Sequence, residues 1–238
     1  LACAVRQDSS GDIAAADVAQ AMNDLSANTL KSSVKRSINI DNSKMSKAFA
    51  IWMEDSSAKN QKSLVEWQNS AAWTANKLAG SSYLKSGRKY IFYYSGKLDS
   101  YRGKYKEIAT RIANTAQDPM VKSIYKNVSI GTGDKWNPSD IMALDSGSAS
   151  AIEKNIKDFD PRKISKASRE IHYNNLKLKA EADAKGKKAL EMTEGMDELY
   201  EYNKYIDNLF KSGDLVGISL KKTETSSVAM KLFDHKDF

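Results

Sequence analysis

Two charged residues stand where apolar runs begin and end. Asp140 heads Ile141-Met142-Ala143-Leu144, and Lys221 closes Leu215-Val216-Gly217-Ile218-Ser219-Leu220. An acid at the start of a buried strand is either a turn former or a metal ligand held at the rim of a sheet. A lysine at the end of one stands at the solvent-exposed mouth or at a site. Side chains two apart on a strand share a face, so Ser219 and Lys221 are expected to point together. The chain has a single cysteine, Cys3, and two histidines, His172 and His235. One thiol cannot form an internal disulfide or a structural zinc site, and two histidines supply a histidine-rich metal centre or a hydrolase triad poorly. Oxygen ligands remain, which point to magnesium, manganese or calcium. The turn Gly131-Thr132-Gly133-Asp134-Lys135 lacks the GxxxxGK[ST] spacing of a phosphate-binding loop.

A second kind of chemistry is suggested by residues 85–107. The strand-like run Tyr90-Ile91-Phe92-Tyr93-Tyr94 lies among Lys85, Arg88, Lys89, Lys97, Arg102, Lys104 and Lys106. Cations neutralise phosphates while tyrosines stack on bases, so Arg88, Lys89, Tyr93, Lys97, Arg102 and Lys104 are candidate nucleic-acid contacts. An amphipathic strand with a wet lysine face gives the same pattern. The formal net charge of +7 favours an anionic partner, nucleic acid first and an anionic membrane surface second. It is equally the charge of a lysine-rich protein with no such partner.

The elements that would carry these residues follow from patterning. With 238 residues, 41% hydrophobic and 28% charged, the chain can bury a sizeable core. No apolar run approaches the roughly 20 residues that span a bilayer, so no membrane is expected as a partner. Leu1 in place of an initiator Met fits numbering from within a longer or trimmed chain. Residues 14–30 and 43–53 read as helices, with a break at 38–42. A stronger helix is expected over 56–79, capped by Ser56 or Ser57, carrying Leu64, Trp67, Ala71, Ala75 and Leu78 at helical spacing and ending at Gly80. Another helix is expected from Tyr101 to Ala116, and 121–130 is strand-like in places. Residues 146–212 are mostly helical. Within them 161–188 carries nine basic against three acidic residues, whereas 190–210 is acidic, so the two can pair with each other. Gly186 and Gly195 are read as breaks in this block. Residues 228–233 would form a hairpin with 215–221.

The segments Pro138-Ser139-Asp140-Ile141 and Ser219-Leu220-Lys221 together resemble the two motifs of the PD-(D/E)XK nuclease superfamily, which many restriction and phage nucleases share. The resemblance covers about 30 residues directly. It implies Mg2+, or Mn2+, held by Asp140, with Lys221 stabilising charge at the scissile phosphate. Ser219 stands where that family has an acid or glutamine, which leaves the site short of one negative charge. Asp145 and Asp214 are off the required faces of regular strands. Glu66 or Glu54, from an N-terminal helix, would be the replacement. Asp140 and Lys221 would share one site, with Ser219 as a weak ligand or a lost one.

The expected fold is therefore α/β: a small mixed central sheet of 90–94, 140–144, 215–221 and 228–233, flanked by helices, with a long helical insertion between two core strands. Residues 1–145 and 213–238 would form the core and 146–212 the insertion or arm, through which a homodimer or a partner protein could assemble. The expected function is a metal-dependent DNA endonuclease of restriction or phage type, cytoplasmic, or in the host cytoplasm or virion if phage-encoded. The alternatives are a catalytically inactive DNA-binding or virion structural protein with the same fold, and a protein-interaction module.

Overall fold

The computed structural model describes residues 1–39, 42–94, 99–124, 140–160, 170, 174, 184–219 and 223–228. It is an α/β fold with a small mixed sheet flanked by helices. By its contacts the chain divides into two compact units, Leu1–Lys97 with Ser139–Ala149 and Gly213–Phe238, and Leu98–Pro138 with Ser150–Ser212. Among the described residues, 99–124 group with the helical segment from Ser150 to Ser212, whereas the expected core was 1–145 with 213–238.

The first unit holds α1 (Ala2–Asp8), α2 (Ala15–Ser26), α3 (Ser32–Arg36), β1 (Ile38–Asn39), α4 (Asn42–Glu54), α5 (Ala58–Ala79), β2 (Tyr90–Tyr94), β3 (Ile141–Asp145) and β4 (Leu215–Ile218). The strands are ordered β1-β2-β3-β4. β1 joins β2 in parallel, and β2–β3 and β3–β4 are antiparallel, with Phe92 opposite Ala143 and Ile141 opposite Ile218. Ile38 and Asn39, expected as a break, instead form the edge strand; the Ser37 carbonyl accepts the Phe92 N–H at 2.9 Å. One face of the sheet is covered by helices: Ile38, Tyr90, Phe92, Ala143 and Ile218 cluster with Ala4 of α1, Val34 of α3 and Leu78 of α5. Met142, Leu144 and Leu215, which alternate to the other face, are buried too. This double burial explains why β3 and β4 read as continuous apolar runs.

Helix α5 begins as its sequence dictates. The Ser57 hydroxyl accepts the Asn60 N–H at 3.3 Å, and Gly80 caps the other end. Leu64, Ala72 and Ala75 then pack on Val18 and Met22 of α2 and on Ala2 of α1. Among the described residues, 223–228 is not a strand, and residues 229–233, with the expected hairpin, lie outside them.

The second unit holds α6 (Asp99–Ala116), α7 (Pro119–Ile124), α8 (Ala149–Lys157, from Ser150 onward) and α9 (Ala184–Ser212). Pro119 opens a short helix, as its fixed φ and missing N–H suit the first helical position, so residues 121–124 are helical where strand character was expected. Tyr105, Ile108 and Ile112 of α6 and Met192, Tyr202 and Ile206 of α9 are all buried, and Phe159 meets the Tyr202 ring edge-to-face at 4.9 Å. α9 runs unbroken through Gly186 and Gly195. Gly195 is a point of close approach instead: a Cβ there would lie 2.7 Å from Ile112 Cγ1. Arg111 pairs with Glu198 between the same two helices.

A side chain at this crossing must push the helices apart. Gly195→Ala should cost about 1–3 kcal/mol, net of alanine's better helix propensity. The loss would be read as a lower urea midpoint, and an unchanged midpoint would show that the crossing can absorb a methyl group.

Candidate functional site

Antiparallel pairing of β3 and β4 decides which of the suspected residues meet. Asp140 directly precedes β3 and Ser219 directly follows β4, so opposing Ile141 to Ile218 sets them side by side. The Asp140 N–H donates to the Ile218 carbonyl at 2.9 Å, closing the ladder at this rim. The Ser219 hydroxyl donates to Asp140 Oδ2 at 3.3 Å, across 79 positions of sequence. For an O–H donor that is a long bond, the usual separation being about 2.7–2.8 Å. Asp140 is half-buried and Ser219 is exposed. Lys221, with Pro138 and Ser139 of the first motif, lies outside the described residues.

The position of β4 is set from a distance by Tyr90. Its ring is 1% exposed, and its hydroxyl accepts the Lys85 N–H at 3.0 Å while donating to the Gly213 carbonyl at 3.0 Å. Gly213 immediately precedes the Asp214-Leu215 start of β4, and its φ of +67° is a conformation that glycine adopts without strain. Gln7 of α1 brackets the Tyr90 backbone: its Oε1 accepts the Tyr90 N–H at 2.7 Å and its Nε2 donates to the Tyr90 carbonyl at 3.1 Å.

Asp145 and Asp214 stand at the opposite rim, where the Asp145 N–H donates to the Asp214 carbonyl at 2.9 Å. Five residues of strand separate Asp145 from Asp140, about 17 Å, so these acids do not supplement the Asp140 rim. Asp214 is engaged by Arg88 at 2.5 Å, and this bond pushes the guanidinium pKa above its ordinary value. Glu54 is exposed at the end of α4, and Glu66 is half-buried on α5. Four residues after Glu66, one turn along the same helix face, the buried Ser70 hydroxyl accepts the Thr223 N–H at 2.9 Å. Nothing in the sequence singles out Ser70 or Thr223: both are common polar residues, and their pairing depends on where the chain goes after β4.

The basic and aromatic residues expected to hold nucleic acid are divided between the units. Arg88, Lys89 and Tyr93 belong to the sheet unit, and Arg102 and Lys104 to the helical one. Tyr93 is 6% exposed, so its ring is packed within the protein and does not offer a face to a base. Arg88 is committed to Asp214, and Lys104 pairs with Glu107 at 3.1 Å on α6. Lys89 is exposed. Lys97 and the side chain of Arg102 lie outside the described residues. A shallow groove in the helical unit is lined by the polar face of α6, including Lys106, Thr110, Arg111 and Asn114.

Oxygen donors of the right type for magnesium are present at the Asp140 rim, as one carboxylate and one hydroxyl. Magnesium commonly keeps several waters and takes one or two carboxylates, so this pair alone would supply only part of such a coordination shell. Among the described residues no three His, Cys, Asp or Glu side chains group as a metal-binding set, and no helix is long and apolar enough to cross a membrane. Comparison with protein-family models, with curated proteins and with solved structures gives no match to this chain.

Removing the Tyr90 hydroxyl leaves the part-buried Lys85 N–H and the buried Gly213 carbonyl short of a partner. Tyr90→Phe should therefore destabilise the fold by about 1–3 kcal/mol, measured by urea denaturation. A loss below about 0.5 kcal/mol would mean that water or a neighbouring group replaces the hydroxyl.

Proposed function

We propose that the rim formed by Asp140 and Ser219 handles phosphodiesters, and that the protein is a magnesium- or manganese-dependent DNA endonuclease. The observation that carries this reading is the Ser219–Asp140 hydrogen bond. Two residues chosen from separate sequence motifs, with the whole helical segment between them, meet at adjoining strand ends. Resemblance to the PD-(D/E)XK nucleases requires this convergence, and a turn aspartate unrelated to Ser219 would not need it. The net charge of +7 is of the sign a DNA partner demands.

The roles follow from the chemistry of each group. Asp140 would hold the metal through its carboxylate. Bound there, the ion would polarise the scissile phosphate and lower the pKa of an attacking water. Ser219 donates its proton to Asp140 Oδ2, so it acts as the orienter of the ligand carboxylate, not as a replacement acid. Lys221 would stabilise charge developing on the phosphate. The absence of a three-residue ligand set among the described residues favours a second reading, a DNA-binding protein, virion component or otherwise, that keeps the rim without cutting.

Incubating the purified chain with plasmid and single-stranded DNA, with magnesium or manganese, separates the two. Cleavage is expected, reduced at least ~100-fold in Asp140→Ala and Lys221→Ala. Ser219→Ala should lose about tenfold, the usual scale for removing a hydrogen bond to a metal-ligating group. Ser219→Glu should lower the metal concentration needed for half-maximal cutting, because it restores a second carboxylate. DNA binding that weakens steeply with salt, without cutting under any metal, would establish the second reading. Cutting that survives both alanine substitutions would move the activity to another site.

A further inference from the structure

We infer that the buried hydroxyl of Ser70 is a positioning group for the Asp140–Ser219 rim, latching the chain that leaves β4 to helix α5. The inference rests on the phosphodiester reading for its functional consequence, though not for its structural one. Ser70 is 2% exposed. Its Oγ accepts two hydrogen bonds from one residue, from the Thr223 N–H at 2.9 Å and from the Thr223 hydroxyl at 3.2 Å, across 153 positions of sequence.

Ser70 lies at the margin of the apolar stripe of α5. At 3.6 residues per turn it is about 80° around the helix from the buried Leu78, about 120° from Leu64 and about 140° from Ala75. Its buried hydroxyl meets the segment following β4. An alanine would pack there as well or better and would suit a helix interior, so the hydroxyl is the informative feature. It satisfies a backbone N–H that the strand ladder no longer serves once β4 has ended at Ile218.

Chain geometry connects this latch to the rim. Ser219 and Thr223 are four positions apart, a span of at most about 14 Å. Ser219 bonds to Asp140 and Thr223 to α5. The first of these bonds is long, 3.3 Å, between an exposed serine and a half-buried aspartate. It is the weaker of the two ties, and the buried Ser70 contact is the one able to restrain the chain that leaves β4. Freed from Ser70, the end of β4 can fray from Ile218 backward, which takes the hydroxyl of Ser219 away from the carboxylate it orients.

The test uses the full chain and reads amide hydrogen exchange alongside cleavage. Ser70→Ala should speed exchange at Asp140, whose N–H is bonded to Ile218, and across 215–219 by about tenfold, the scale of one hydrogen bond. Protection at Phe92, bonded to Ser37 on the other side of the sheet, should be unchanged. Ser70→Thr, which keeps the hydroxyl, should restore protection. Thr223→Val, which removes just the 3.2 Å bond and leaves α5 untouched, should show a smaller effect at the same amides. In cleavage the expected signature is a lower kcat with KM for DNA unchanged, measured well below the melting temperature. The inference is overturned if Ser70→Ala leaves Asp140 and 215–219 as protected as in the parent protein, or if it loosens Phe92 to the same degree, which is global destabilisation. Should Ser70→Ala not fold, the Thr223→Val exchange pattern decides by the same criteria. A parent protein that never cuts DNA defeats the nuclease reading, while the exchange pattern still decides whether the latch exists.

Discussion

The sheet unit depends on a phenol. Tyr90 carries the first residue of β2, and its hydroxyl joins the Lys85 N–H to the Gly213 carbonyl. β2 and β4 are not neighbours, since β3 lies between them. A bond from the β2 side chain to the residue just before Asp214 therefore spans the width of β3 and sets where β4 starts. Backbone ladders alone leave register open, and a one-residue slip would send Ser219 to the other face of the sheet. Tyr90 opposes that slip at one end of β4, and the Ile141–Ile218 pair with its apolar packing opposes it at the other. The buried ring gives the hydroxyl its leverage at Gly213, whose carbonyl it meets in a buried bond.

What the sequence made legible tracks how local the cause was. Helix α5 was readable because its cap, its period and its terminal glycine lie within its own span. β3 and β4 were readable because burial on both faces leaves apolar runs that do not alternate. β1 was not: two residues, Ile38 and Asn39, are strand by virtue of a partner more than fifty positions away, and nothing local marks them. Gly195 was misread for a related reason. Glycine in a helical pattern signals either a break or a close neighbour, and the neighbour, Ile112, belongs to a different helix. Residues 121–124, part of the span 121–130 expected to be strand-like in places, are helical because Pro119 suits the first helical turn.

The candidate site was legible to a similar degree. That Asp140 and Ser219 adjoin was foreseeable from two apolar runs, each with a polar residue at one end, because antiparallel pairing brings the start of one strand beside the end of the other. In the aromatic-basic stretch, charge and ring content do not reveal which way a side chain points. Tyr93 alternates to a buried face, and Arg88 is drawn to Asp214. The contributions of Gln7, Ser70 and Thr223 were invisible: single hydrogen bonds between distant positions leave no period and no spacing.

The chemistry at the rim turns on the missing acid. Two carboxylates side by side at a strand end repel each other unless a cation or a proton stands between them, so such pairs make the metal-free fold less stable and the metal-bound one more so. Serine removes that repulsion. Its hydroxyl can donate to Asp140, which a second carboxylate could do just by keeping a proton. The pair thus joins a neutral donor to one anionic acceptor, and two such oxygens alone would hold a divalent ion only modestly. A nuclease built this way would meet a metal mainly together with the phosphates of a bound nucleic acid, which would add the negative charge the rim lacks. On the proposed reading, Ser219 would make metal binding conditional on substrate, and this is the physical difference between Asp140 beside a hydroxyl and Asp140 beside another acid.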